Sequence, residues 1–140
     1  MATVTQLRIY NAAAACLEKH ITLDPSVPGE LGCAEAVSYV LKQAGYILPE
    51  EGIAGTAALY VWLQQHFTPV SVPQYGDVII SPSGMSTKGS PHGHTGIVAK
   101  YGILSNDSDS GLFLEKYTLA SWATYFHTTE GFPVFYFRSK

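Results

Sequence analysis

Three residues of this chain have the types and surroundings needed for acyl transfer: Cys33, His94 and Asn106. Cys33 follows Gly32 and a loop rich in proline and glycine. It opens an apolar stretch in which Ala36, Val37, Val40 and Leu41 fall at helical spacing and Gly45 supplies a stop. A cysteine at a helix start feels the partial positive charge of unpaired backbone N–H groups, which favours thiolate over thiol. The same N–H groups can receive the oxyanion formed when a carbonyl is attacked. His94 lies in His92-Gly93-His94-Thr95-Gly96-Ile97-Val98, at the start of a strand that follows a flexible loop. From there an imidazole can reach a thiol and still be held in place. Gly96 leaves space on the same strand face as His94. Asn106 lies on the next strand, across the Tyr101-Gly102 turn, where its side-chain carbonyl could orient the imidazole as third member of a Cys-His-Asn triad. Asp107 is the alternative. Because strand faces alternate, the two cannot both point at His94.

Taken singly, each residue also has a structural explanation. Cys33 could be a buried cysteine packed on a sheet, His-Gly-His a loop with a stray histidine, and residues 105–110 a polar turn. Two histidines without a third ligand do not make a metal site, and there is no Cys-x-x-Cys pair, so no metal is expected. Cys16 sits in an alanine-rich helical run and reads as a small buried apolar residue.

The elements that must position these residues follow from periodicity and punctuation. Residues 3–19 read as a helix, with Thr3 or Thr5 as cap and Leu7, Tyr10, Ala14 and Leu17 on one stripe. Residues 21–32 read as loop. A second helix starts at or just before Cys33, and a third covers Thr56 to His66, with Leu59, Trp62 and Leu63 at helical spacing. Extended segments are expected over Val70–Val72, Asp77–Ile80, His94–Lys100, Ile103–Asn106, Gly111–Glu115 and Val134–Arg138, with a loop from Pro82 to Gly93. Thr118 can cap a short helix through Phe126. Helices first and strands afterwards, joined by short turns, argue for an α+β fold with N-terminal helices packed on a central antiparallel sheet. No repeat or linker divides residues 1–140, which are read as a single domain.

Composition narrows the function. Charged residues make up 14% of the chain, against roughly 25% in ordinary soluble domains, and the net charge is −3. No Lys/Arg cluster is present, which argues against nucleic-acid binding. The longest apolar runs fall far short of a membrane span. Nine tyrosines and two tryptophans suit a surface that meets sugars or peptides, and suit a tyrosine-rich core equally well. The first residues lack the basic start and apolar stretch of a secretory signal, so the chain is expected to be made in the cytoplasm and delivered by other means if it acts outside. A disulfide between Cys16 and Cys33 is accordingly not expected.

In order and spacing the motifs resemble those of the NlpC-type and CHAP cysteine peptidases and amidases, which are papain-like in fold. The matching residues are Gly32-Cys33-Ala34, Tyr75-Gly76-Asp77-Val78-Ile79, His94-Thr95-Gly96-Ile97-Val98 and Asn106, which cover roughly residues 30 to 110. The third residue in NlpC-type enzymes lies about twelve positions after the histidine, and Asn106 is twelve after His94. Two departures stand out: an added helix between Cys33 and Gly76, and Asn in place of the more usual His at the third position. The resemblance implies hydrolysis of peptide or amide bonds of peptidoglycan, with no metal or organic cofactor needed. Cys33 would attack, His94 would shuttle the proton, and water would release an acyl-enzyme. Tyr75, His92, Tyr101 and Trp122 are candidate substrate contacts by position, with Tyr60 and the Pro82–Gly93 loop beside them. A phage-encoded lytic protein or an injected effector, with or without an inhibitor protein, would fit the missing signal. The rival expectations are a papain-like protease or deamidase acting on proteins, and a non-catalytic phage structural or binding module.

Overall fold

The structure, a computed structural model, describes residues 3–21 and 32–140; most of the expected 21–32 loop lies outside them. Helix α1 (Val4–Ala14) starts at Thr3, whose hydroxyl accepts the Gln6 N–H while the Gln6 side chain accepts the Thr3 N–H, a reciprocal cap. The helix ends at Ala14 rather than near Lys19, and turns follow. Its inward stripe is also displaced by one position from the expected one: Gln6, Ile9 and Ala13 are buried, whereas Leu7 and Leu17 are more than a third exposed. The cause is Gln6, whose amide donates to the buried Asp77 carboxylate at 3.0 Å and so turns the helix toward it.

Helix α2 (Gly32–Gln43) buries Ala36, Val37, Val40 and Leu41 completely, as their spacing predicts, and Gly45 follows it at φ 101°. Helix α3 (Thr56–His66) turns Leu59 and Leu63 into the core. Six strands follow: β1 (Phe67–Val70), β2 (Val78–Ser81), β3 (His94–Val98), β4 (Ile103–Asn106), β5 (Phe113–Tyr117) and β6 (Phe135–Ser139). They form one antiparallel sheet in the order β1-β6-β2-β3-β4-β5. Between β5 and β6, Thr118 caps helix α4 (Leu119–Trp122), which continues as a π-helical segment, Ala123–Thr129.

Strand alternation splits the apolar residues into two layers. On one face Val78, Ile80, Ile97, Leu104 and Phe137 pack against α1, α2 and α3. On the other, Ile79, Val98 and Ile103 pack against Trp122, Phe126 and Phe132. Helices therefore cover both faces, and the α4 layer is an addition to the expected arrangement of N-terminal helices on a sheet. The Gly76-Asp77 pair braces the first layer. Gly76 has φ 91°, and a Cβ there would lie 2.2 Å from the Gln6 carbonyl oxygen, so only glycine fits. Asp77 is fully buried and accepts from Arg138, from Gln6 and from the Gln74 N–H. It ties α1, β2 and β6 together.

Candidate active site

The sequence opens α2 at the thiol, and α2 packs against the start of β3. The paired register between β3 and β4 is Val98↔Ile103 and Ile97↔Leu104. Beyond it, the backbone N–H of Thr95 reaches the Cys33 sulfur, so the thiol sits against the residue that follows His94. Cys33 is only 4% exposed. Burial pushes its thiol up to about 11, against the pull of the N–H groups of Thr95, Ala34 and Cys33 itself. The helix-start field expected to favour thiolate is thus present but outweighed by desolvation.

His94 opens β3 and points to the other face of the sheet. Its ring packs against both Trp122 (5.2 Å between centroids, 24° between planes) and Phe126 (5.5 Å, 18°), which touch each other at 4.6 Å, with Tyr117 edge-on at 5.9 Å. Nε2 is 3.1 Å from the Ser105 hydroxyl. Burial chiefly, and Lys116 secondarily, lower its pKa to about 4, with Asp107 opposing. Burial thus favours the neutral form of both the Cys33 thiol and the His94 imidazole.

The side chain bonded to His94 is Ser105, not Asn106 or Asp107. The reason is the turn. Ala99 N–H donates to Gly102 carbonyl, so the hairpin has two central residues, Lys100 and Tyr101. With a two-residue turn, opposed residues always differ by an odd number, and positions twelve apart fall on opposite faces. Asn106 consequently lies on the α2 side, buried and opposite Phe113. Ser105 comes to the His94 side, where Gly96 makes room: a Cβ at 96 would stand 3.0 Å from the Ser105 Cβ. A bulge in β5 at Lys116, where Ile103↔Tyr117 is followed by Leu104↔Glu115, brings Tyr117 onto the same face. Sequence reasoning missed Ser105, Tyr117 and Phe126. The two-residue turn was the signal that would have found Ser105.

A cleft of about 300 Å³ opens at His94, walled by His92, Asp107, Lys116, Tyr125 and Glu130 among others, with Asn106 at its edge. Asp107 holds Lys116 at 2.9 Å on this wall. The exposed His92 stands at the cleft. Trp122 does not: it is fully buried, donates its indole N–H to Ser81, and serves as a platform for the imidazole. Tyr101 is 88% exposed but sits at the far end of β3, about 20 Å of extended chain from His94. Tyr75 packs edge-on against Tyr10 under Lys100, beside α1 rather than in the cleft, and Tyr60 stacks on Phe135. Among the described residues no three His, Cys, Asp or Glu side chains cluster so as to hold a metal ion, and no helix is long and apolar enough to cross a membrane.

Fold and site together define an α+β protein with a six-stranded antiparallel sheet, a cysteine at a helix start and a histidine at the head of the adjoining strand. The fold is similar to that of a chain in the type VI native effector–immunity complex Tae3–Tai3 from Ralstonia pickettii, with a TM-score of 0.63 and 20% identity over 96% of this chain and 98% of that one. At that identity the likeness is one of fold. No protein-family profile and no curated protein matches the sequence.

Proposed function

We propose that residues 1–140 act as a single papain-like cysteine hydrolase domain that cleaves amide bonds of bacterial cell-wall peptidoglycan. One observation carries this reading: the Cys33 thiol, at the start of α2, abuts the strand whose first residue, His94, opens onto the cleft. In the proposed reaction, Cys33 attacks the scissile carbonyl as His94 takes its proton. The N–H groups at the start of α2 steady the oxyanion, the proton passes to the leaving amine, and water hydrolyses the acyl-enzyme. Asn106 contributes a polar edge to the cleft. The reading extends to delivery as an injected effector and to a dedicated inhibitor protein as partner; the chain of similar fold comes from an effector–immunity complex, which is consistent with such a partner.

The test is incubation of purified peptidoglycan with the wild type and with Cys33→Ala, His94→Ala and Cys16→Ala variants, followed by chromatography of the released fragments. Wild type and Cys16→Ala should release peptides or muropeptides, and the other two should lose at least a hundredfold in rate. No release by wild type counts against the wall as substrate. A second reading, a non-catalytic module, draws support from the buried, protonated thiol. Retained hydrolysis in Cys33→Ala would remove Cys33 from the chemistry altogether.

A further inference from the structure

We infer that Ser105 is the positioning residue for His94: its hydroxyl accepts the Nε2–H, holds the ring in one tautomer, and leaves Nδ1 as the basic nitrogen. The inference rests on the proposed Cys33–His94 chemistry for its purpose, but on geometry for its content. Nε2 lies 3.1 Å from the Ser105 Oγ, and among the described residues no hydrogen bond reaches Nδ1. His94 is followed directly by Thr95, whose N–H meets the Cys33 sulfur. An imidazole that carries its proton on Nε2 presents a lone pair at Nδ1, the form a general base must have.

Three further features single out Ser105 from an ordinary buried serine. It is only 2% exposed, so water competes little for its hydroxyl. The ring it bonds is backed by the contacting Trp122 and Phe126 rings and met edge-on by Tyr117, and Trp122 is anchored in turn to Ser81. The space for the bond exists because position 96, opposite Ser105, has no side chain. Neither Asn106 nor Asp107 makes such a bond: Asn106 belongs to the other face, and Asp107 is engaged by Lys116 and the Ser110 hydroxyl.

Nitrogen-15 NMR of the histidine rings in wild type, Ser105→Ala and Ser105→Thr decides the matter. His94 in wild type should be the Nε2–H tautomer near pH 7. Ser105→Ala should move it toward a mixture, and Ser105→Thr, which keeps the hydroxyl, should restore it. In peptidoglycan digestion Ser105→Ala should lower kcat at least tenfold with KM changed less than twofold, and Ser105→Thr should recover most of that loss. An Nδ1–H tautomer in wild type, or an unchanged tautomer and kcat in Ser105→Ala, would overturn the assignment. The NMR arm needs no substrate. Absence of wall hydrolysis in wild type with the expected tautomer shift would sink the proposed function while supporting the role of Ser105 on His94.

Discussion

Titration of Cys33 with a small alkylating reagent tests the electrostatics of the site directly. Burial raises the thiol from its ordinary 9.0 to about 11. At pH 7.5 that shift makes the thiolate fraction roughly a hundredfold smaller than in a free thiol, about three in ten thousand. The thiolate is the attacking species, so iodoacetamide should modify Cys33 at least a hundredfold more slowly than a small free thiol, before any steric factor. The rate should climb about tenfold per pH unit up to pH 10 with no plateau near neutrality. Intact-mass time courses in a Cys16→Ala background give this profile for one thiol at a time, since Cys16 is the other free cysteine. A companion profile in His94→Ala should be nearly the same, because the resting imidazole, lowered to about 4, holds no proton to stabilise a thiolate. A raised thiol and a lowered imidazole both oppose a standing ion pair, so in the proposed reaction attack is concerted with proton transfer on a bound substrate. A plateau between pH 6 and 8, lost in His94→Ala, would refute this reasoning and establish a preformed thiolate–imidazolium pair.

Two other perturbations follow from the same structure. Between pH 6.5 and about 4 an unfolded His94 is protonated while the native one is not, so the unfolded state binds more protons and stability falls as pH falls through that window. Wild type should lose roughly 1–3 kcal/mol relative to His94→Gln between pH 7 and 4, the range allowing for a ring partly open to the cleft; parallel urea-midpoint curves for the two proteins would contradict this. Asp77→Ala should cost about 3–5 kcal/mol, because it strands the Arg138 guanidinium and the Gln6 amide around a fully buried position; a loss under 1 kcal/mol in urea unfolding would show that Asp77 is not a brace.

What the sequence revealed, and what it hid, separates along a physical line. Helices α2 and α3 were legible because their apolar residues repeat at helical spacing and glycine or loop punctuates their ends. The β3–β4 hairpin was legible because its apolar runs flank a two-residue turn, although that turn centres on Lys100-Tyr101 and not on Tyr101-Gly102. The inward stripe of α1 was misread because Gln6 is polar by type but buried by a partner, Asp77, some seventy residues away. The π-helical segment after Trp122 was read as plain helix, since its widened hydrogen bonding leaves no pattern in residue types. The site divides the same way. Cys33 and His94 are placed by local signals, a helix start and a strand start, and both sit where those signals put them. The third residue depends on cross-strand parity, a relation between two elements rather than a property of either. A spacing of twelve carried over from another family suits a hairpin whose opposed residues differ by an even number. Here the turn makes the difference odd, so one residue's displacement moves the partner of His94 from an amide to a hydroxyl. A hydroxyl can accept one proton from Nε2 and carries no charge to raise the imidazole's basicity, whereas a carboxylate in its place would do so. The identity of this partner therefore belongs with the low imidazole pKa: Ser105 bonds the ring without charging it, and the imidazole is neutral at rest.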